Sequence, residues 1–323
     1  MIKTKSFATI FHIQVEKKLD QLLIKDNFNL RILSDNKIVK NILDIRDVRK
    51  IIGLNEAQAL EESNCIFYKE EDYDTTPENF NDRACLIGTL LLIEMFYHAL
   101  WLIKDNSVHC ELAHLFYEEE KRYAIHSNFW SSSYTNSLGI VETTSFSNEE
   151  IDEAIKLYPL ILITNQHENP LSNNSIRITS KTSRLSRAFF FIQSARSTID
   201  IGTKISIYCS VLESIFSVST SELKHRLSET IAFFLEKDYE NKKRVYKILQ
   251  NAYDVRSSVV HGDGIQSKFL KNDGELLLQT ALNTDEIIRR CMRKIIEDSN
   301  LYDLFTVKTR DEVSEYLQNL IFN

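Results

Sequence analysis

A mainly α protein is predicted: a C-terminal helical bundle preceded by a mostly helical N-terminal domain with a few short strands. Three observations carry this. Apolar residues recur at three- and four-residue steps through most of the second half. Only three Pro and seven Gly interrupt 323 residues, so the chain is not loop-rich. Short apolar runs suited to strands, Phe28–Leu33 and Cys65–Tyr68, stand near the beginning. The length allows two domains with substantial cores.

The opening stretch has the two lysines and short apolar run of a secretory signal. His12 and Gln14 break the run and no small-residue cleavage site follows, so it is read as folded chain. Helical spacing runs from about Val39 to Ile52. Ala84–Ile103 is the most apolar window, and its twenty residues match a bilayer crossing. Glu94 near its centre costs about 3 kcal/mol on insertion scales, and His98 one turn later adds to that. A buried core helix is therefore expected, with Glu94 and His98 satisfying each other at i, i+4, and no membrane partner.

His109-Cys-Glu-Leu-Ala-His114 sets Cys110 and His114 at helical i, i+4 spacing, two of the four ligands that a structural zinc takes. No second pair follows. The cluster is read as helix surface, and no metal or cofactor is expected. Glu118–Arg122 reads as a solvated helix face. Trp130–Ser137 is a polar loop whose aromatics either stack on unpaired bases or pack on the surface. Thr164–Ser175 crowds Asn, Ser and Pro170 after an apolar run. The domain boundary is placed there, separating 1–175, a domain of unknown role as sensor or regulator, from 176–323. Five Cys, at 65, 85, 110, 209 and 291, are odd in number and scattered, which fits free thiols in a reducing, cytoplasmic compartment.

Beyond the boundary, Ser186–Asp200 and Lys204–Phe216 read as helices. Ser219-Thr-Ser-Glu222 is a capping box opening a third, with Leu223, Leu227, Ile231 and Phe234 on one face. A fourth runs from Lys242, a fifth from Gly274 to about Ser299, and Thr309-Arg-Asp-Glu312 caps a last short one. Five or six amphipathic helices in succession suit a bundle.

The fourth helix carries the chemistry. Val245, Ile248, Leu249, Ala252, Val255 and Val259 form its apolar stripe. Asp254, Ser257 and His261 share a second face, and Arg256 falls about 140° from His261 at 100° per residue. His261 sits in the last turn, where the helix C-terminus favours an imidazolium, and Gly262 supplies the left-handed stop. A permanent cation and a proton carrier at one helix end are a minimal kit for cleaving a phosphodiester. A His cap beside a surface Arg is the plainer reading of the same residues.

Taken with its surroundings, the pattern resembles a known family. Tyr208-Cys-Ser-Val-Leu-Glu213-Ser-Ile-Phe216, Leu223-Lys-His-Arg226 through Leu235, and Tyr253-Asp-Val-Arg256-Ser-Ser-Val-Val-His261-Gly262 come in the order and spacing of the Apea-like branch of the HEPN superfamily. The resemblance covers roughly residues 185 to 300. It implies a HEPN-like helical bundle and a metal-independent endoribonuclease that works as a homodimer through the motif helix, its two Arg-x4-6-His motifs facing across a cleft. In that reading His261 is the general base or acid, Arg256 steadies the phosphoryl charge, Asp254 and Ser257 support the imidazole, and the products end in 2′,3′-cyclic phosphates. The implied setting is phage defence or stress, with an antitoxin or other regulatory partner holding the activity silent. Other members of the superfamily only bind RNA or proteins, and this is the rival reading. Asp263 stands where some toxin members carry a Tyr that receives a nucleotidyl group, so that control is not expected.

Charge bears on the RNA reading. The chain is −7 overall, with −9 in residues 1 to 180 and +2 in 181 to 323. A broad electrostatic footprint for nucleic acid is thereby excluded. Local contact is expected instead, through Lys224, Arg226, Lys242 and Lys243, which open the motif helix and the one before it. Arg289–Lys294 is a further basic stretch.

Overall fold

The computed structural model describes residues 1–16, 20–22, 30–119, 122–129, 133–166, 178–218 and 223–322. It divides into two compact units. The first comprises Met1–Leu100, Asn106–Tyr134 and Val141–Pro159; the second comprises Trp101–Asp105, Thr135–Ile140 and Leu160–Asn323.

Residues of the first unit form β1 (Ile2–Thr9), β2 (Ile13–Val15), β3 (Asp20–Leu22), β4 (Leu30–Leu33), α1 (Lys37–Leu43), α2 (Val48–Ile52), α3 (Leu54–Glu62) and β5 (Ile66–Tyr73). They continue with α4 (Asp82–Ile103), β6 (Leu112–Glu119), β7 (Arg122–Phe129), β8 (Thr144–Phe146) and α5 (Asn148–Gln166), of which α4 from Trp101 and α5 from Leu160 belong to the second unit. Six strands make an antiparallel sheet in the order β3-β4-β5-β1-β6-β7, and β2 pairs with β8 in parallel. The protein is mainly α, but its N-terminal part is not mostly helical. The opening residues are the sheet's inner strand β1, paired on both sides.

Alternating side chains send the two faces of β5 to different partners. Ile66 and Tyr68 join Phe7 and Phe116 in a core with α1, α2 and α3. Phe67 points the other way, onto Phe96 and Tyr97 of α4 at ring separations of 5.7 and 5.8 Å. The apolar helix α4 thus lies in a core as expected, and two-thirds of its most apolar window is buried. Glu94 accepts from the Tyr134 hydroxyl at 3.0 Å. Tyr134 is fully buried, so it offers no face to a base; Trp130 lies outside the described residues.

Two helical expectations give way to the β6–β7 hairpin. Cys110 precedes β6, the chain bends at Glu111, and His114 stands within the strand, so the two do not share a helix face. Neither is surface. His114 stacks on Phe7, and its Nδ1 lies 2.7 Å from the Ser127 hydroxyl. Glu118 and Glu119 end β6 and Arg122 opens β7, in place of a solvated helix. The boundary expected at Thr164–Ser175 lies mostly outside the described residues. Thr164 itself is still helical, because Ile161 and Thr164 both face inward.

The second unit is helical: α6 (Arg184–Arg196), α7 (Ile201–Phe216), α8 (Leu223–Leu235), α9 (Tyr239–His261), α10 (Ser267–Leu270), α11 (Glu275–Glu297), α12 (Ser299–Thr306) and α13 (Arg310–Phe322). Side-chain caps fix where several begin: Ser183, Asp200, Asp238 and Asp298 each accept a backbone N–H of the first turn. Thr309 and Glu312 close a reciprocal capping box before α13. The proposed box at Ser219–Glu222 lies outside the described residues. Helices α6 and α7 pack together, α7, α9 and α11 pack mutually, and α8 packs on α9. Phe216, Phe234 and Phe305 meet edge to face where α7, α8 and α12 converge. Deep inside, Asp285 accepts from Trp101 Nε1 (2.9 Å), the Tyr208 hydroxyl (3.0 Å) and Arg289 Nε (2.8 Å). The basic stretch Arg289–Lys294 is engaged in such bonds, with Arg290 on Glu236, Arg293 on Glu297 and Lys294 on the Phe234 carbonyl.

Candidate functional site

Helix α9 carries the motif for the reason its sequence gives. Val245, Leu249, Ala252 and Val255 are buried against its neighbours, leaving His261 exposed at the last turn. Gly262 adopts φ 78°, ψ 14°, and its N–H and that of Asp263 both return to the Ser258 carbonyl. His261 is the last residue of the helix. The residue is exposed, and no described residue hydrogen-bonds the ring.

Arg256 is held differently. Its Nη2 donates to Glu213 Oε2 of α7 at 3.3 Å, with 30% of the arginine side chain and 20% of the glutamate exposed. Burial raises the Glu213 carboxyl above its usual range, against the pull of Arg256 and Tyr253. The other carboxylate oxygen, Oε1, and the Tyr253 hydroxyl are both buried without a well-formed hydrogen bond. They still lie close enough for each to shift the other's proton affinity. One of the five guanidinium N–H donors is spoken for by Glu213.

Asp254 does not orient His261. Its two oxygens accept from Lys224 and Lys268, the latter at 2.7 Å. Burial alone would raise this carboxyl, but the hydrogen bonds and charges of the two lysines hold it below the usual range. Ser257 is exposed, and it is the neighbouring Ser258 hydroxyl that turns back onto the helix, donating to the Asp254 carbonyl at 3.1 Å. Both oxygens are turned to the lysines, and among the described residues no hydrogen bond joins Asp254 to the imidazole two turns further along α9.

The basic residues expected to meet RNA are dispersed. Lys224 is paired to Asp254. Lys242 lies over the Phe233 ring, 3.7 Å from its centroid. Lys243 joins Arg244 and Lys247 along a hollow of about 440 Å³ between α9 and α11, walled opposite by Gln279 and Asn283. Arg226, exposed on α8, borders another of about 420 Å³ with Phe216 and Leu317. Among the described residues, no three His, Cys, Asp or Glu side chains gather in a way that would hold a metal. All five cysteines are free and buried.

A larger hollow, about 520 Å³, opens on the other side of Glu213, lined by Arg184, Arg187, Phe191, Ser210, Glu213 and Arg310 among others. Sequence reading missed it. Its arginines come from two ends of the unit, Arg184 and Arg187 on α6 and Arg310 on α13, and no local pattern joins them. Glu213 did leave a signal, as the one acid on a helix whose Cys209, Leu212 and Phe216 are otherwise buried.

Comparison with known proteins supplies no further identity. No protein-family model matches the chain, and no curated protein or solved structure matches it either.

Proposed function

We propose that the protein is a dimeric, metal-independent endoribonuclease of the HEPN type. The observation that carries this reading is His261: an exposed imidazole with no hydrogen-bond partner among the described residues, at a glycine-terminated helix end, one and a half turns beyond a guanidinium that is fixed yet not buried. The imidazole takes the proton of a ribose 2′-hydroxyl as that oxygen attacks the adjacent phosphorus. The bond from phosphorus to the 5′-oxygen breaks, and the imidazolium of a second copy supplies the proton that the departing oxygen needs. Arg256 offers its remaining N–H donors to the charge that accumulates on the phosphoryl oxygens. The nucleophile is part of the substrate, and the products are a 2′,3′-cyclic phosphate and a free 5′-hydroxyl.

The test is incubation of the full chain with end-labelled single-stranded RNA in excess chelator. Cleavage with cyclic phosphate ends is expected, DNA of the same sequence stays intact, and His261→Ala lowers the rate by about a hundredfold or more. Cleavage that persists in that variant overturns the reading.

A second reading, a non-catalytic HEPN-like module that binds RNA or a protein, is favoured by one observation. Arg256 and Asp254 both spend charge on neighbours in the fold, Glu213 and the lysine pair. An RNA that binds without being cut, with equal affinity for wild type and His261→Ala, would decide for it.

A further inference from the structure

The hollow between α6, α7 and α13 holds an unusual concentration of unneutralised charge. Arg184 Nη1 donates to the carbonyls of Ile215 and Ser217 at 3.0 and 2.9 Å, closing the C-terminus of α7. Arg187 Nη2 donates to the Thr182 carbonyl at 3.1 Å, and its Nε is buried with no hydrogen-bond partner among the described residues. Arg310 Nη2 donates to the Val218 carbonyl at 2.8 Å. Every partner is a neutral carbonyl. Among the described residues no carboxylate pairs with any of the three, and the one acid in the wall, Glu213, is committed to Arg256. Arg184 registers the imbalance: burial, and then the charges of Arg187 and Arg310, push its proton affinity down.

Three guanidinium groups brought together without a counter-ion repel one another, and a buried donor without an acceptor costs free energy that an incoming oxyanion would return. Guanidinium matches phosphate geometry with two parallel N–H donors, and three of them suit more than one phosphate. The hollow is also too large for phosphate alone. About 520 Å³ is the size of a small-molecule site, and Phe191 gives it an aromatic wall against which a base can lie.

We propose that this hollow is a binding site for a free nucleoside polyphosphate, with the phosphates among Arg184, Arg187 and Arg310 and the base toward Phe191. It does not depend on Arg256 or His261 being catalytic. Because Glu213 stands in its wall and grips Arg256, an anion seated there lies beside the carboxylate that sets the position of the motif arginine. The site is thus placed to report a nucleotide to α9.

Titration calorimetry on the full chain tests this with four probes: ATP, adenosine, inorganic pyrophosphate and a short 2′-O-methylated single-stranded RNA that cannot be cut at its 2′-oxygen. ATP is expected to bind, pyrophosphate more weakly, and adenosine not at all. Arg187→Gln and Arg310→Gln should each weaken ATP at least tenfold, since each loses a charge and only one bond to a carbonyl. His261→Ala should leave ATP binding unchanged, which separates this site from the nuclease proposal. The two variants are checked for wild-type melting temperature, and either one that folds suffices. Absence of ATP binding, binding undiminished in a folded variant, or binding of the oligonucleotide alone overturns the proposal.

Discussion

The imidazole of His261 and the guanidinium of Arg256 share a helix but differ in what the fold asks of them. His261 is exposed and makes no hydrogen bond with a described residue, so removing it takes nothing from the packing. Arg256 neutralises Glu213, a carboxylate already raised by burial, and its loss leaves that charge without a partner. His261→Ala should therefore change stability by no more than about 0.5 kcal/mol. Arg256→Ala should cost about 1 to 3 kcal/mol, the penalty of stranding a largely buried polar group. Pairing Arg256→Ala with Glu213→Gln should recover much of that cost, because the stranded charge goes too. Urea unfolding of the three variants checks this. Equal losses for the two single variants would mean that His261 is also structural, and the catalytic proposal would lose its clean probe.

Helices of the second unit were legible through their amphipathic stripes. Two starts lie elsewhere than the sequence places them: Asp200, read as the last residue of one helix, caps α7, and Asp238 caps α9 ahead of Lys242, whereas Gly262 stops α9 where the sequence places its end. That stop is open to test. A Cβ at Gly262 meets nothing within 4 Å, so Gly262→Ala pays only for its left-handed φ of +78°, about 1 kcal/mol. At Gly139, φ +73°, the added carbon would stand 2.1 Å from the Ile199 carbonyl oxygen, and Gly139→Ala should cost distinctly more. Denaturation midpoints of the two variants give the comparison; equal losses would mean that the close approach at Gly139 relaxes freely. The β6–β7 hairpin stayed hidden for a physical reason. Ala113, His114, Leu115 and Phe116 are all buried, so β6 is covered on both faces and shows no alternation of apolar and polar residues. The same limit applies to the site. His261 and Gly262 are adjacent and could be read together, whereas Glu213 and Arg256 lie forty-three positions apart and meet only through the packing of α7 on α9.

Each unit has its own core and its own buried ionisable groups, and the protein's response to acid follows from where these lie. His114, 1% exposed beside Phe7, has its pKa lowered by burial from 6.5 to about 4. The unfolded chain takes up that proton first as the pH drops. Stability due to a neutral His114 is thus complete above pH 6.5 and is lost as the pH falls through about 4. The whole interval corresponds to about 3 kcal/mol, at 1.36 kcal/mol per pKa unit. His114→Gln stays neutral at every pH and can still bond the Ser127 hydroxyl. Its stability should be nearly independent of this step. Subtracting its denaturation profile from that of wild type between pH 7 and pH 4 removes every other titrating group that the two share. The difference should favour wild type most near pH 7 and shrink steadily toward pH 4. A flat difference would show that the imidazole protonates in the folded state as easily as in the unfolded one, and that the sheet around β6 opens to water more readily than its packing implies.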